Sequence, residues 1–205
     1  MALANFTELS EAVARFAMRS GDEDFENSTA DFIAIAERRM SRQLRTRFNE
    51  NTISLTVTDG VATLPADYAQ FRDVVFNGAC RINLGSVSPG YGIQADPSHV
   101  AGTPRFFSIS GNELTVYPTW SGDLAFTYYS KIPALSDSNP TNWALDNYPD
   151  LYLYGALLEA APFMMDDQRM ATWGQLYNSA MSAANEDDTL SRYARVSARV
   201  SGPTP

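Results

Sequence analysis

The sequence has one thiol, one imidazole and one lysine. Cys80 is the single cysteine and His99 the single histidine among 205 residues. One thiol makes neither an intrachain disulfide nor a cysteine metal cluster, and one imidazole excludes a multi-histidine metal site. Fourteen of the 15 basic residues are arginine, leaving Lys131 alone. Arginine forms planar, bidentate contacts that suit interfaces; genome composition accounts for the same bias. A basic surplus is also missing: 24 acids against 15 bases give a net charge of -9. Phosphate contacts drive non-specific affinity for DNA, so a tight grip on nucleic acid is not expected, although an acidic surface lets DNA pass without sticking. Long apolar runs are absent too. The N-terminus, MALANFTELSEAVARF, lacks the basic region and apolar run of a signal peptide. The stretch Leu151 to Met165 is interrupted by Glu159 and Pro162 and is shorter than the roughly 20 residues of a membrane span. The expectation is a soluble protein made in a reducing cytoplasm.

What is present is 44% hydrophobic residues, enough for one core or a core with an inserted subdomain. Phe6, Leu9, Val13 and Phe16 line one face of a first helix capped by Asn5 or Thr7. Asp22 to Glu26 open a longer helix with the stripe Phe25, Phe32, Ala36, Met40 and Leu44. Its C-terminal half, ERRMSRQLRTR, carries Arg38, Arg39, Arg42, Arg45 and Arg47. Two readings stand: a solvated end matched to the helix dipole, or contacts with a partner or with passing DNA. From Asn51 the period changes to two. Ile53, Leu55 and Val57 alternate with polar residues, and Asp59-Gly60 turns the chain into Val61 to Leu64, a hairpin signal. LPADY is a short turn. Strands are expected at Phe71 to Phe76, Ala79 to Leu84, Arg105 to Ser110, Glu113 to Tyr117 and Asp123 to Lys131. Gly85 to Pro104, rich in Gly, Ser and Pro, reads as a long loop. Helix returns at Tyr148, with Pro149 in its first turn and Pro162 kinking or ending it. A last helix, capped by Asp166, has the stripe Trp173, Leu176, Tyr177, Ala180, Met181 and Ala184.

The fold class expected is therefore α+β. A helical domain is built from both chain ends (1–50 and 148–190), with an inserted antiparallel β domain (51–132), a small sandwich or partial barrel. A polar connection (133–147) and an extended C-terminal tail (191–205) complete it. The helix from Tyr148 has no wet side, because Glu159 is its one charge between Leu151 and Met165. Such a helix must be covered all round. Either the chain's own helices cover it or one side meets another subunit, where Tyr148, Tyr152 and Tyr154 suit an interface.

Catalysis is not expected. His99 stands alone in a loop, Cys80 lies in an apolar strand pattern, and the adjacent Asp166 and Asp167 point in different directions. SVSPGYG lacks the lysine of a phosphate loop. Phe106, Phe107, Tyr117, Trp120, Tyr128 and Tyr129 leave a carbohydrate- or receptor-binding module open, although alternation turns about half of such rings inward.

Four stretches together carry a resemblance: ADFIAIAERRMSRQLRTR (Ala30 to Arg47), LPADYAQFRDV (Leu64 to Val74), GTPRFFSISGNELTVYPTW (Gly102 to Trp120, followed by YYSKIPALSD) and NPTNWALDNYPDLYLYGALLEAAPFMMDDQRM (Asn139 to Met170). In this order the chain resembles the head-to-tail adaptor (connector) proteins of short-tailed and related tailed phages. The resemblance implies a structural virion protein at the head–tail junction, forming a ring, usually dodecameric. Its implied partners are the portal protein, the tail nozzle or tube protein and further copies of itself. DNA is only passing cargo, and no cofactor or membrane is involved. It implies portal contacts from the C-terminal tail, with Arg192, Tyr193, Arg195 and Arg199 as candidates. Arg38, Arg42, Arg45, Tyr152 and Tyr154 are candidates for subunit or portal contact. The alternative is another tail structural protein, such as a nozzle or stopper.

Overall fold

The computed structural model describes residues 3–78, 80–97, 100–165 and 167–193. The fold is α+β, in two compact units: Met1–Phe48 with Ile132–Pro205, and Asn49–Lys131.

In the first unit, α1 (Phe6–Phe16) starts at Asn5, whose side chain accepts from the Glu8 N–H at 2.9 Å, satisfying a donor that the first turn leaves open. Leu9 and Val13 are buried as their spacing requires, but Phe16 is 45% exposed. It is the last residue of the helix, and Met18 leaves in the left-handed region at φ 58°. Helix α2 (Glu23–Gln43) is capped by Asp22 and buries Phe25, Phe32, Ala36 and Met40. After the β unit the chain returns through a short α4 (Trp143–Asn147), then α5 (Pro149–Met164) and α6 (Asp167–Tyr193). Pro162 lies inside the last turn of α5, and Met165 ends the helix at φ 53°. Asp166, the expected cap, lies outside the described residues. In α6, Tyr177, Met181 and Ala184 are buried and Leu176 is 38% exposed. This helix runs through Tyr193, so the first three residues expected in an extended tail are helical.

Helix α5 answers the question of the helix with no wet side. Leu151, Tyr152, Leu153, Gly155, Ala156, Leu157, Ala160 and Ala161 are all buried, and these positions circle the helix. The chain supplies the cover itself, with α1, α2, α4 and α6 packed on α5. Small residues permit this. A Cβ on Gly155 would lie 3.2 Å from the Ala36 Cβ and 3.4 Å from the Tyr177 ring. The lone charge is matched too: Glu159 meets the Arg39 guanidinium at 2.5 Å.

The β unit holds two four-stranded sheets. One runs β1 (Glu50–Val57), β8 (Gly122–Ser130), β3 (Tyr68–Asn77), β4 (Arg81–Asn83); the other runs β2 (Val61–Thr63), β7 (Glu113–Tyr117), β6 (Phe106–Ser110), β5 (Gly85–Ser86). Their inner faces share one core that includes Leu55, Val74, Phe107, Leu114, Val116 and Phe126, which makes the unit a small sandwich. Two expectations change. Asp59 and Gly60 both have positive φ, 50° and 81°, the backbone of a tight hairpin turn. Yet only Thr58 and Val61 bridge across it, because β1 pairs with β8 and β2 with β7. The turn carries the chain from one sheet to the other. The unit is also not wholly antiparallel, since β5 runs parallel to β6. The stretch from Gly85 to Pro104 holds β5 and about two helical turns, α3 (Pro89–Ala95), where a plain loop is expected. Cys80 is exposed, not in a strand, and His99 lies outside the described residues. LPADY is fixed by Asp67, whose carboxylate accepts from the Tyr128 hydroxyl at 3.0 Å. Burial, and then this acidic neighbour, push the Tyr128 phenol up to about 12.

Candidate interaction surface

The arginine row of α2 separates into distinct roles. Arg39 is held by Glu159. Arg45 folds back over the end of its own helix, donating to the carbonyls of Ser41, Leu44 and Arg42 at 3.0, 2.7 and 2.9 Å. Those are carbonyls that a helix C-terminus leaves without intrahelical partners, and a cation there also suits the dipole. Arg47 stacks its guanidinium 4.9 Å from the Phe48 ring centroid, and its backbone N–H donates to the Asp188 carboxylate at 2.6 Å. Asp188 is thereby a buried anchor inside a helix that continues to Tyr193, not part of a fraying end. Arg38 and Arg42 remain exposed. Among the described residues, neither side chain makes a hydrogen bond or ion pair.

The tyrosines also divide. Tyr152 is 0% exposed. Its hydroxyl accepts from Asn142 Nδ2 at 2.6 Å and donates to Glu37 Oε1 at 3.1 Å. This takes Tyr152 out of the expected contact set: the ring belongs to the chain's own core. The same network pins the returning segment. Asn142 caps α4 through the N–H groups of Ala144 and Leu145 and also donates to the Pro133 carbonyl. The Leu135 N–H donates to Glu37 at 2.8 Å. The segment expected as a polar connection is thus laced into the helical core, with Ile132 and Leu135 buried. Tyr154 is half-buried and stacks on Trp173, centroids 6.3 Å apart. Of the tail candidates, Arg195 and Arg199 lie outside the described residues; Arg192 and Tyr193 end the helical backbone of α6.

Burial of Glu37 pushes its carboxyl above its ordinary value of 4.5, more than its two hydrogen bonds hold it down. A raised folded-state value favours the protonated form in the native protein. The stabilisation is full below pH 4.5 and is lost as the pH rises through the folded value. Glu37→Gln keeps an acceptor for Leu135 and Tyr152 without the buried charge. Thermal unfolding is expected to show this variant at least as stable as the parent at pH 7, with the difference closing as the pH falls toward 4.5. A variant less stable at pH 7 would show that the charge itself is needed.

Sequence reasoning missed the exposed apolar groups. In the helical unit, Met18 is 78%, Phe163 50% and Met165 91% exposed. The Phe163 ring packs edge-on against Phe25 and Phe32, at 5.9 and 5.6 Å, and Arg169 reaches the Met18 sulfur at 3.8 Å. In the sequence Pro162 marks the place: it stands in the last turn of α5, next to Phe163 and three residues before Met165. In the β unit, Tyr91, Ile93 and Val100 are each more than half exposed. A hollow beside β6 and β7 is lined by Thr103, Arg105, Phe106, Tyr117 and Pro118. Among the described residues, no group of three or more His, Cys, Asp or Glu is arranged to hold a metal ion. No helix there is long and apolar enough to cross a membrane.

A family model described as the SU10 adaptor protein matches residues 4–201, nearly the whole chain and both of its units. The chain belongs to the SU10 adaptor protein family, a family of phage head-to-tail adaptors. No curated protein matches it. Arg38, Arg42, Met18, Phe163 and Met165 are exposed arginine and apolar side chains of the helical unit. Arginine and aromatic residues are enriched at protein–protein interfaces. With Arg39 held by Glu159, Arg38 and Arg42 are the α2 arginines left exposed.

Proposed function

We propose that this adaptor closes into a ring, usually of twelve copies in its family, between the portal and the tail nozzle or tube, and surrounds the channel through which DNA passes. The observation that carries this reading is the family match over residues 4–201. The chemistry of the surface supports it. A net charge of -9 disfavours tight binding of phosphate, so DNA slides by as cargo. A ring of identical copies joins two different patches of each subunit, and the ring closes where the rotation allows. Arg38, Arg42 and the half-buried Tyr154 supply contacts to a neighbouring subunit or to the portal. The C-terminal residues Arg192, Tyr193, Arg195 and Arg199 reach the portal. The protein acts as a virion structural component, without catalysis.

Co-sedimentation with the portal ring of the same phage tests this. Removing residues 191–205 is expected to weaken portal binding by at least about tenfold, since a few anchors carry most of an interface's energy, with the thermal midpoint unchanged. Arg38→Glu with Arg42→Glu is expected to reduce assembly on the portal, again with the fold intact because both side chains are exposed. Full-length, folded protein that leaves the portal pellet unchanged would defeat the proposal.

A further inference from the structure

The exposed line of α2 carries more than the two free arginines. Asp24, Asp31, Ile35, Arg38 and Arg42 are all exposed, and Ile35 is 45% so. At about 100° per residue they fall on one narrow stripe, about 27 Å long. Its first half is acidic, its second half basic, and an exposed isoleucine sits between. Asn27, Ser28 and Ala34, which flank it, are short. The helix dipole explains charges in the first and last turns only. Asp31 and Arg38 are well inside Glu23–Gln43, so the dipole does not account for them. Among the described residues, none of these four charged side chains makes an ion pair.

We infer that two free chains pair through this stripe, α2 against α2 and antiparallel, about a two-fold axis near Ala34 and Ile35. That register sets Asp31 of one copy opposite Arg38 of the other. It leaves Asp24 about one turn from Arg42, within reach of the long arginine side chain. The two-fold repeats each pair, and the two Ile35 side chains meet at the centre. A parallel pairing would set acid on acid and base on base. Such a contact is isologous, unlike a ring contact, so it belongs to the free chain before assembly. The inference rests on reading Arg38 and Arg42 as subunit contacts. One helix pair lies at the low end of specific interfaces, so the association is weak and sensitive to salt.

Sedimentation velocity of the whole protein tests this across about 5–200 µM, a range suited to weak association. The wild type is expected to shift from monomer to dimer with concentration, less so at high salt. Asp31→Arg and Arg38→Asp each turn two attractive contacts into repulsive ones, and each is expected to weaken self-association by about tenfold or more. Mixed in equal amounts, the two variants are expected to pair, because each then offers the charge the other lacks. Wild type that stays monomeric at low salt would overturn the inference, as would single variants that associate like wild type or a mixture that stays monomeric. Portal binding is measured separately: a chain that pairs in this way yet ignores the portal keeps this inference and loses the ring.

Discussion

Replacing Tyr152 with alanine is expected to lower the unfolding free energy by about 3–5 kcal/mol, as for other large buried side chains. The ring is fully buried in the middle of the helical core, and its hydroxyl joins Asn142 to Glu37. Alanine removes both the packing and the bridge. Tyr152→Phe separates them: the ring stays, and the loss of about 1–3 kcal/mol reports the groups left without a partner. Chemical denaturation of the three proteins reads the difference. If phenylalanine cost nothing, the network would be incidental and the returning segment would be held by packing alone.

The second large effect is expected in the sandwich. Phe126 of β8 is 0% exposed, stacks on Tyr128 at 5.4 Å and lies 5.9 Å from the Tyr68 ring. β8 is the strand that both β1 and β3 pair with. Phe126→Ala is expected to cost about 3–5 kcal/mol, read as a lower midpoint of β-sheet unfolding. Phe126→Leu keeps most of the volume and is expected to cost about 1.5 kcal/mol or less. Equal losses from the two variants would show that aromatic geometry, not volume, sets the stability of this core.

Periodicity carried much of this architecture. The stripe Phe25, Phe32, Ala36 and Met40 is buried as its spacing requires, and the alternation of β1 and β8 marks strands. The failures have physical causes. Asp59-Gly60 specifies a tight turn, but a turn's backbone says nothing about which sheet each flanking strand joins. The helix α3 has seven residues, too few for a helical period to show against its glycines. A helix apolar on every side announces burial without naming its cover, and here the chain's own helices suffice. The arginine row was legible as a row. Its roles were not, because Glu159, which holds Arg39, is 120 positions away along the chain. The network of Glu37, Tyr152 and Asn142 joins α2 to a segment more than a hundred residues later, each polar side chain unremarkable where it stands in the sequence.

The most direct test of the adaptor account is electron microscopy of the portal ring after mixing with this protein. The account predicts a closed ring of copies stacked on one end of the portal around a continuous channel. An intact portal with no added density, in the presence of folded protein, would contradict it.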